Sequence, residues 1–338
     1  MGVPTVRSVR AATAEAFSSS CSAEPAILDL SVVAKRAEAQ GVVSLDLALP
    51  DGELLPAWLP GAHIDVMLPD NVVRQYSLCG DCRNNRAWTI AVLRETASRG
   101  GSRYIHDHLA VGDRMQVSRP RNNFRLVDAE HYLFIAGGIG ITPILAMARQ
   151  IAAQGKPWTL VYGGRTRGAM AFIDTLRALR GGQIHICPQD ECGLLDLPRF
   201  LDRHEDGTKV YCCGPEALID AVEKRCSDWP IGTLHRERFA PSTKGAALPK
   251  GAFEVELARS GRRLVVPPDT SLLMVLEEAG YTITNSCRAG ICGTCFIRVL
   301  SGELEHNDDV LSDAEREAGD GLLVCVSRAK SGLLVLDL

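Results

Sequence analysis

Four cysteines near the end of the chain have a spacing that suits metal ligation. Three of them fall within nine residues, in the pattern C-x4-C-x2-C, and the fourth follows after 29 residues: Cys287, Cys292, Cys295 and Cys325. A tight loop wraps three thiolates around one centre and a distant strand supplies the fourth. Gly290 and Gly293 allow the unusual backbone angles that such a loop needs. This spacing predicts a 2Fe-2S cluster with four thiolate ligands.

A structural zinc site is the alternative for these cysteines. Zinc sites usually pair two short-spaced cysteine units, and Cys325 has no second cysteine near it. The segments NSCRAGICGTCFIRVLSGE and LLVCVSRA resemble the plant-type ferredoxin family. The resemblance covers about 88 residues and implies a β-grasp fold around a one-electron centre near −400 mV. Such a centre requires an electron source elsewhere in the chain.

A second group of residues suits flavin binding. Arg74, Gln75, Tyr76 and Ser77 match the R-x-Y-S motif of the ferredoxin-NADP reductase superfamily. The resemblance implies that the arginine pairs with the flavin phosphate, that the tyrosine packs near the isoalloxazine, and that the serine hydroxyl lies by flavin N5. A barrel strand with an exposed arginine is the alternative reading of so short a match.

The segment from Ser98 to Ser102 strengthens the flavin assignment. Glycine-flanked amides and a hydroxyl at the start of a helix form an anion site. The segment resembles the G-R-G-G-S phosphate loop of the phthalate dioxygenase reductase family, with Ser98 in place of the first glycine. The flavin of that family is FMN, whose single phosphate needs no adenosine pocket, so we expect FMN rather than FAD. The residues expected to bind it here are Arg99, Gly100, Gly101 and Ser102.

Two further turns suit a nicotinamide dinucleotide. The first joins a hydrophobic strand to a helix and matches the G-G-x-G-x-T-P turn of the reductase superfamily, with Gly137, Gly138, Gly140, Thr142 and Pro143. Glycines there let a pyrophosphate approach the backbone at the positive end of a helix. The second, Cys213-Gly214-Pro215, resembles the element whose cysteine lies near the nicotinamide ring. Phe239 stands where the family places an aromatic against the flavin.

The sequence favours NADH over NADPH as the electron donor. Arg165 and Arg167 follow the second strand of this region, where a 2′-phosphate would be met. Similar basic loops occur in NADH-using members of the superfamily, and no Tyr/Arg pair typical of NADPH users follows Pro215. We therefore expect NADH, with NADPH as the alternative.

The elements that must position these groups divide the chain into five parts. Residues 1–25 predict a disordered leader, with an organellar transit peptide as the alternative. Short runs broken by Gly and Pro over 26–123 predict an antiparallel flavin-binding β-barrel. Alternating strands and helices over 124–239 predict a doubly wound parallel sheet that binds the dinucleotide. Residues 240–250 form a linker, and 251–338 predict an α+β β-grasp module with a hairpin, a helix and strands at FIRVLSGELE and LLVCVSRA.

Composition agrees with a multidomain globular protein. The chain has 338 residues, a net charge of −4 and no apolar run long enough to span a bilayer, so neither nucleic-acid binding nor membrane insertion is expected. Residues 251–338 contain 14 acidic and 8 basic residues, so the excess negative charge is concentrated in the last module. Twelve cysteines without a secretory signal indicate a reducing compartment, and we expect the cytoplasm.

Taken together, residues 26–338 resemble the phthalate dioxygenase reductase family. The resemblance implies a flavin iron-sulfur oxidoreductase that passes electrons from NADH through FMN and a 2Fe-2S cluster to a terminal oxygenase. We expect Ser77, Cys213 and Phe239 at the hydride-transfer site and a Rieske non-haem iron aromatic oxygenase or O-demethylase as partner. A haem-thiolate monooxygenase partner is the alternative. A redox sensor without an oxygenase, or a reductase of small acceptors, is a different class of function.

Overall fold

The computed structural model describes residues 27–96, 100–241 and 251–338. The predicted leader, Arg99 and all but the first two residues of the predicted linker lie outside these ranges. The strands are β1 Ile27–Ala39, β2 Val42–Ala48, β3 Ala62–Leu68, β4 Val72–Ser77, β5 Trp88–Leu93, β6 Arg114–Ser118, β7 Arg121–Asn122, β8 His131–Gly137, β9 Trp158–Gly164, β10 Gly182–Pro188, β11 Thr208–Cys213, β12 Leu234–Glu237, β13 Phe253–Leu257, β14 Arg262–Val266, β15 Phe296–Ser301, β16 Leu304–Glu305, β17 Gly321–Leu323, β18 Arg328–Ala329 and β19 Leu333–Leu336.

Eight α-helices connect these strands in the described residues. They are α1 Gly101–Asp107, α2 Ile141–Gln154, α3 Ile173–Arg177, α4 Gln189–Cys192, α5 Leu197–Leu201, α6 Glu216–Arg225, α7 Leu272–Glu278 and α8 Asp313–Ala318. Short 3-10 turns lie at Gly138–Gly140 and Arg167–Ala169. None of the helices described is long and apolar enough to cross a membrane.

The first seven strands form the predicted barrel. Their order is β4-β3-β6-β1-β2-β5, with β7 paired to β3, and the pairs are antiparallel. A bridge between Leu78 and Ile90 joins the end of β4 to β5 and so closes the sheet on itself. Closure leaves the R-x-Y-S strand with a partner on each side. Its residues are therefore held in a fixed register opposite His63–Leu68.

The next five strands form the predicted doubly wound sheet. All neighbours are parallel, in the order β10-β9-β8-β11-β12. The chain reverses its direction of winding between β8 and β11. Ligands of open α/β sheets bind at the carboxyl ends of the strands beside such a switch point. Both predicted dinucleotide turns follow these two strands.

The last five-stranded sheet has the mixed topology of a β-grasp module. Its order is β14-β13-β19-β15-β17, with β13 and β19 parallel and the other described pairs antiparallel. The helix α7 begins at Ser271, whose hydroxyl caps the amide of Met274. The long connection between β15 and β17 includes the short helix α8, which a capping box at Ser312 begins.

Three details of this module differ from the sequence prediction. The segment FIRVLSGELE is not one strand, because β15 ends at Ser301 and β16 pairs with β18 in a separate sheet. The segment LLVCVSRA is not a continuous strand, because β17 ends at Leu323, whose carbonyl accepts hydrogen bonds from the amides of Val326 (3.2 Å) and Ser327 (2.9 Å). This turn, rather than a strand, carries Cys325. The strand β19 was not predicted. It pairs in parallel with β13, which lies far away in the sequence.

The hydrophobic cores show which parts fold together. One core joins barrel residues such as Val42 and Ala91 to Phe134 and Ile141 of the parallel-sheet domain. The core of the C-terminal module contains residues from 253 onwards and none from the rest of the described chain. Residues 27–241, called here the body, therefore form one packed unit, and the C-terminal module (251–338) forms another.

Candidate functional site

The predicted phosphate-binding groups of the barrel lie together. A Cβ added to Gly101, at the start of α1, would stand 2.9 Å from Cγ of Arg74. The preceding Gly100 has φ +99°, a left-handed angle that favours glycine there. The Arg74 guanidinium donates to the carbonyl of Val73 (2.8 Å) and remains at the edge of this turn. Ser102 is buried, and its hydroxyl accepts from the amide of Glu95.

Arg99, the remaining residue of the predicted phosphate loop, lies outside the described residues. Tyr76 is largely buried against the barrel core, and this burial raises the pKa of its hydroxyl to about 12. The side chain of Gln75 turns to the opposite face, where it donates to Asp65 (2.9 Å). A contact of Gln75 with the flavin is therefore predicted only for its backbone.

The two dinucleotide turns pack directly on each other. A Cβ on Gly140 would lie 2.3 Å from the carbonyl oxygen of Cys213, and a Cβ on Gly137 would lie 2.6 Å from Cδ of Pro215. Gly214 in turn approaches the backbone of Gly137. These glycines are needed for loop packing, a second reason beside the predicted approach of a pyrophosphate.

The helix α2 begins at this junction. Gly138 has φ +54°, and Thr142, whose hydroxyl donates to the carbonyl of Ile139 (3.0 Å), closes the turn. Pro143 lies in the first turn of the helix, where its missing amide hydrogen costs nothing. The amino end of α2 therefore faces the switch point between β8 and β11.

The predicted hydride-transfer residues Ser77 and Cys213 lie together with Glu237 at the ends of three strands. Ser77 ends β4, Cys213 ends β11, and Glu237 ends β12 in register with Cys213. Ser77 is hydrogen-bonded to the Glu237 carboxyl, and the Cys213 thiol lies close enough for that carboxyl to raise its pKa further above the value set by burial. The structure thus brings Ser77 and Cys213, two predicted catalytic residues, to one place.

Glu237 was missed by the sequence reasoning. One feature of the sequence could have revealed it. Parallel strands end at the same edge of a sheet, so an acidic residue at the end of the last strand is expected near the ends of its neighbours. Burial raises the pKa of Glu237 to about 8, while the hydrogen bond with Ser77 acts in the opposite direction. Its Oε2 atom is buried with no hydrogen-bond partner among the described residues. The burial favours the protonated form of this carboxyl.

We expect the protonation of Glu237 to govern the pH dependence of flavin reduction. Hydride arrival adds negative charge to the flavin, so a carboxylate nearby opposes it, and the rate should fall as the pH rises through about 8. Glu237→Gln should remove this fall. Stopped-flow flavin reduction at saturating NADH, between about pH 6.5 and 9.5, measures it. Parallel pH profiles for both proteins would contradict the assignment.

Phe239 follows directly after this site. Its side chain is 43 % exposed, unlike the buried aromatics of the same domain such as Phe134 and Tyr211. An accessible aromatic beside Glu237 suits the predicted place against a flavin ring. Its role stays a prediction.

The four predicted cluster ligands come together as two pairs. The Cys287 thiol is hydrogen-bonded to Cys292, and the Cys295 thiol to Cys325. The hydrogen bond from Cys287 lowers the pKa of Cys292 to about 5. In the described part of the chain, no three His, Cys, Asp or Glu side chains meet as a mononuclear metal site requires. Two thiol pairs instead fit two irons with two thiolates each, the arrangement of a 2Fe-2S cluster.

The backbone of the cluster loop (residues 287–295) explains its glycines. Gly290 and Gly293 have φ of +71° and +74°, and Arg288 also lies in the left-handed region at +52°. The amide of Ala289 donates to the Cys287 sulfur (3.3 Å). Arg288 is held outward by Glu277 (2.7 Å) and Asn285 (3.0 Å).

Comparison with known protein families supports both halves of this site. The family profile of the 2Fe-2S iron-sulfur cluster binding domain matches residues 255–330. The profile of the dimethylamine monooxygenase subunit DmmA-like N-terminal domain matches residues 117–233. The first of these covers the four thiols, and the second covers both dinucleotide turns.

Two relatives match this chain over nearly its whole length. The phthalate 4,5-dioxygenase oxygenase reductase subunit of Pseudomonas putida is 39% identical over 95% of this chain and 100% of its own. A solved phthalate dioxygenase reductase, titled a modular structure for electron transfer from pyridine nucleotides to [2Fe-2S], is 39% identical over 93% of this chain and 98% of its own, with a TM-score of 0.66.

A second solved structure is much longer than this chain. An intact type IV self-sufficient cytochrome P450 monooxygenase matches 92% of this chain at 41% identity, with a TM-score of 0.88, but the match spans only 41% of the monooxygenase. The same three-part arrangement therefore occurs both as a separate chain and as one part of a longer one.

Proposed function

The chain belongs to the phthalate dioxygenase reductase family, and from this premise we propose how its residues carry electrons from NADH to a terminal oxygenase. It is an electron-transferring oxidoreductase, the reductase component of a multicomponent oxygenase. Its cofactors are FMN and a 2Fe-2S cluster, with NADH as donor. A bound flavin accepts a hydride as an electron pair, and the iron-sulfur centre takes electrons one at a time.

The proposal rests mainly on one observation: Ser77, Cys213 and Glu237 lie together at the junction of the barrel and the parallel sheet. We assign Arg74 and residues 99–102 to the FMN phosphate, with Tyr76 and Phe239 beside the ring. The turns at 137–143 and 213–215 hold the dinucleotide, so that the nicotinamide lies by Cys213. Ser77 and protonated Glu237 would then supply hydrogen bonds at the place of hydride arrival.

We retain the segments 26–123, 124–239 and 251–338 as the proposed domain boundaries and the cytoplasm as the proposed compartment. The partner we propose is a Rieske non-haem iron oxygenase or O-demethylase acting on an aromatic acid. The match to a self-sufficient cytochrome P450 favours a haem-thiolate monooxygenase as the second candidate. The acidic C-terminal module suits a basic docking patch on either partner.

The partner assignment is tested by NADH-driven product formation. We expect this protein to support turnover of a purified Rieske oxygenase encoded beside its gene. Turnover should fall as salt rises from about 0.05 to 0.5 M, because the screening length drops below about 5 Å, whereas hydride transfer to the flavin should change far less. Turnover of a haem-thiolate monooxygenase with none of the Rieske enzyme would reverse the choice of partner.

The nucleotide preference has a structural basis in α4. Arg167, one of the two candidates for contacting a 2′-phosphate, is paired with Glu191, with Nε and Oε1 2.9 Å apart. This carboxylate both engages the arginine and repels a phosphate. Arg165 is exposed on the same loop. The arrangement supports the preference for NADH.

We expect kcat/KM with NADH to exceed that with NADPH by about tenfold or more, which corresponds to about 1.4 kcal/mol in transition-state binding. Glu191→Gln should raise kcat/KM for NADPH about tenfold and leave the value for NADH within about twofold. Glu205→Gln, an equal charge change at another exposed position of this domain, is the control. Steady-state kinetics with both nucleotides measure these values. An unchanged ratio of kcat/KM for NADH to kcat/KM for NADPH in Glu191→Gln would show that the Arg167–Glu191 pair does not determine the nucleotide preference.

A further inference from the structure

The body contacts the cluster loop through the side chain of Asn123. This residue directly follows β7, and its Nδ2 donates to the carbonyl oxygen of Cys292 at 3.0 Å. A Cβ on Gly293 would stand 3.1 Å from the same Nδ2 atom, so a larger residue there would push the Asn123 side chain away by a few tenths of an ångström. A side chain of the body thus binds the backbone of a cluster ligand.

Arg238 makes a second contact with the same region. Its side chain is 5% exposed, and its Nη2 donates to Asp220 (2.9 Å) and Glu223 (3.0 Å) of α6, which fix the guanidinium in place. On its other side Nε lies 3.6 Å from Oδ1 of Asp309. The amide of Asp309 donates to Gly290 of the cluster loop (2.9 Å). The body therefore presents a fixed positive charge to a carboxylate that is tied to the cluster loop.

The two contacting residues occupy different places in the body. Arg238 lies between Glu237, at the hydride-transfer site, and Phe239, the predicted flavin-facing aromatic. Asn123 precedes Phe124, which belongs to the core shared by barrel and parallel sheet. Of the two residues that hold the docked loop, Arg238 is therefore the one adjacent in sequence to the proposed hydride-transfer site.

The character of the contact is polar. The apolar core of the C-terminal module contains no body residue among those described, and the contacts named above are one hydrogen bond, one ion pair and one close backbone approach. Interfaces between domains that lack a large apolar area are readily separated. Such a contact suits docking that orders the module without fixing it permanently.

We propose that Asn123 and Arg238 form an intramolecular docking site for the cluster loop and hold it where the cluster receives electrons from the flavin. Both are positioning residues, acting through the Cys292 carbonyl and through Asp309. The inference rests on the proposed electron path from flavin to cluster and adds the residues that set its geometry. None of the flavin- or nucleotide-binding residues assigned above takes part in it.

The test reverses the charge of Asp309 in the full-length holoprotein. In Asp309→Lys, the lysine repels Arg238. We expect flavin reduction by NADH to stay within about twofold, cluster reduction by the reduced flavin to slow at least about tenfold, and the radius of gyration from small-angle X-ray scattering to rise. Rapid mixing followed at flavin and cluster wavelengths separates the two rates. Glu254→Lys, an equal charge change on β13 in the half of the sheet away from the cluster strands, should alter neither rate nor scattering.

A second variant keeps the proposal testable if Asp309→Lys does not load its cluster. Asn123→Ala changes only the body, so its cluster content should stay normal, and we expect its cluster reduction to slow at least about threefold. If the variant that loads its cluster transfers electrons from flavin to cluster at the wild-type rate and scatters like the wild type, the proposed docking site is wrong. Failure of the proposed function would look different, because the wild-type cluster itself would then stay oxidised after flavin reduction.

Discussion

Replacing Cys292 with serine should abolish or strongly disturb the visible 2Fe-2S spectrum and leave the flavin content near normal. The Cys292 thiol is buried and paired with Cys287, and its loss would remove one of the four predicted thiolate ligands. The flavin site belongs to the body, whose core shares no residue with the C-terminal module in the described ranges. Absorbance and iron analysis of the purified protein measure the change.

A matched control uses a cysteine of the body. Cys187→Ser changes a half-buried thiol on β10 that belongs to neither thiol pair, and it should keep both the iron and the spectrum. An unchanged cluster spectrum in Cys292→Ser would refute the ligand assignment. Loss of the spectrum in both variants would show that the effect is not specific to the cluster loop.

A chain that ends at Ser242 should retain its flavin and still reduce ferricyanide with NADH. The residues proposed for hydride transfer, Ser77, Cys213 and Glu237, all lie in the body, whose cores are formed from residues up to Leu234. The same chain should lose most reduction of cytochrome c and all turnover with the oxygenase, because one-electron exit requires the cluster. Flavin content and the three activities are measured on one preparation.

The truncated chain has an internal control in its own ferricyanide rate. Asn123 and Arg238 lose their partners Cys292 and Asp309, but Arg238 remains supported from within the body by Asp220 and Glu223. The body should therefore stay folded. Full oxygenase turnover by the truncated chain would show that the C-terminal module is not the exit route.

Motifs that depend on local spacing could be predicted from the sequence. The C-x4-C-x2-C loop and the G-G-x-G-x-T-P turn each act within a few residues, so the residue types alone indicate the chemistry. The three-part architecture followed from changes in hydrophobic periodicity, and the comparisons confirm it. The family match likewise confirms the predicted oxidoreductase class.

Features that depend on tertiary neighbours could not be predicted in this way. Glu237 reaches the predicted site because its strand ends beside that of Cys213, and Gln75 turns away because Asp65 lies opposite it on β3. The strand β19 forms only against β13, and the turn at Cys325 replaces a strand because Leu323 accepts two amides. The contact of Asn123 with Cys292 joins positions 169 residues apart.

The central claim is that electrons enter at the flavin and leave through the cluster. Anaerobic mixing of the full-length holoprotein with NADH, followed by rapid-scan absorbance and by electron paramagnetic resonance of frozen samples, tests it most directly. We predict that flavin absorbance decreases first and that the signal of the reduced 2Fe-2S centre then rises at a rate sufficient for oxygenase turnover. A cluster that stays oxidised while the oxygenase turns over would contradict the account.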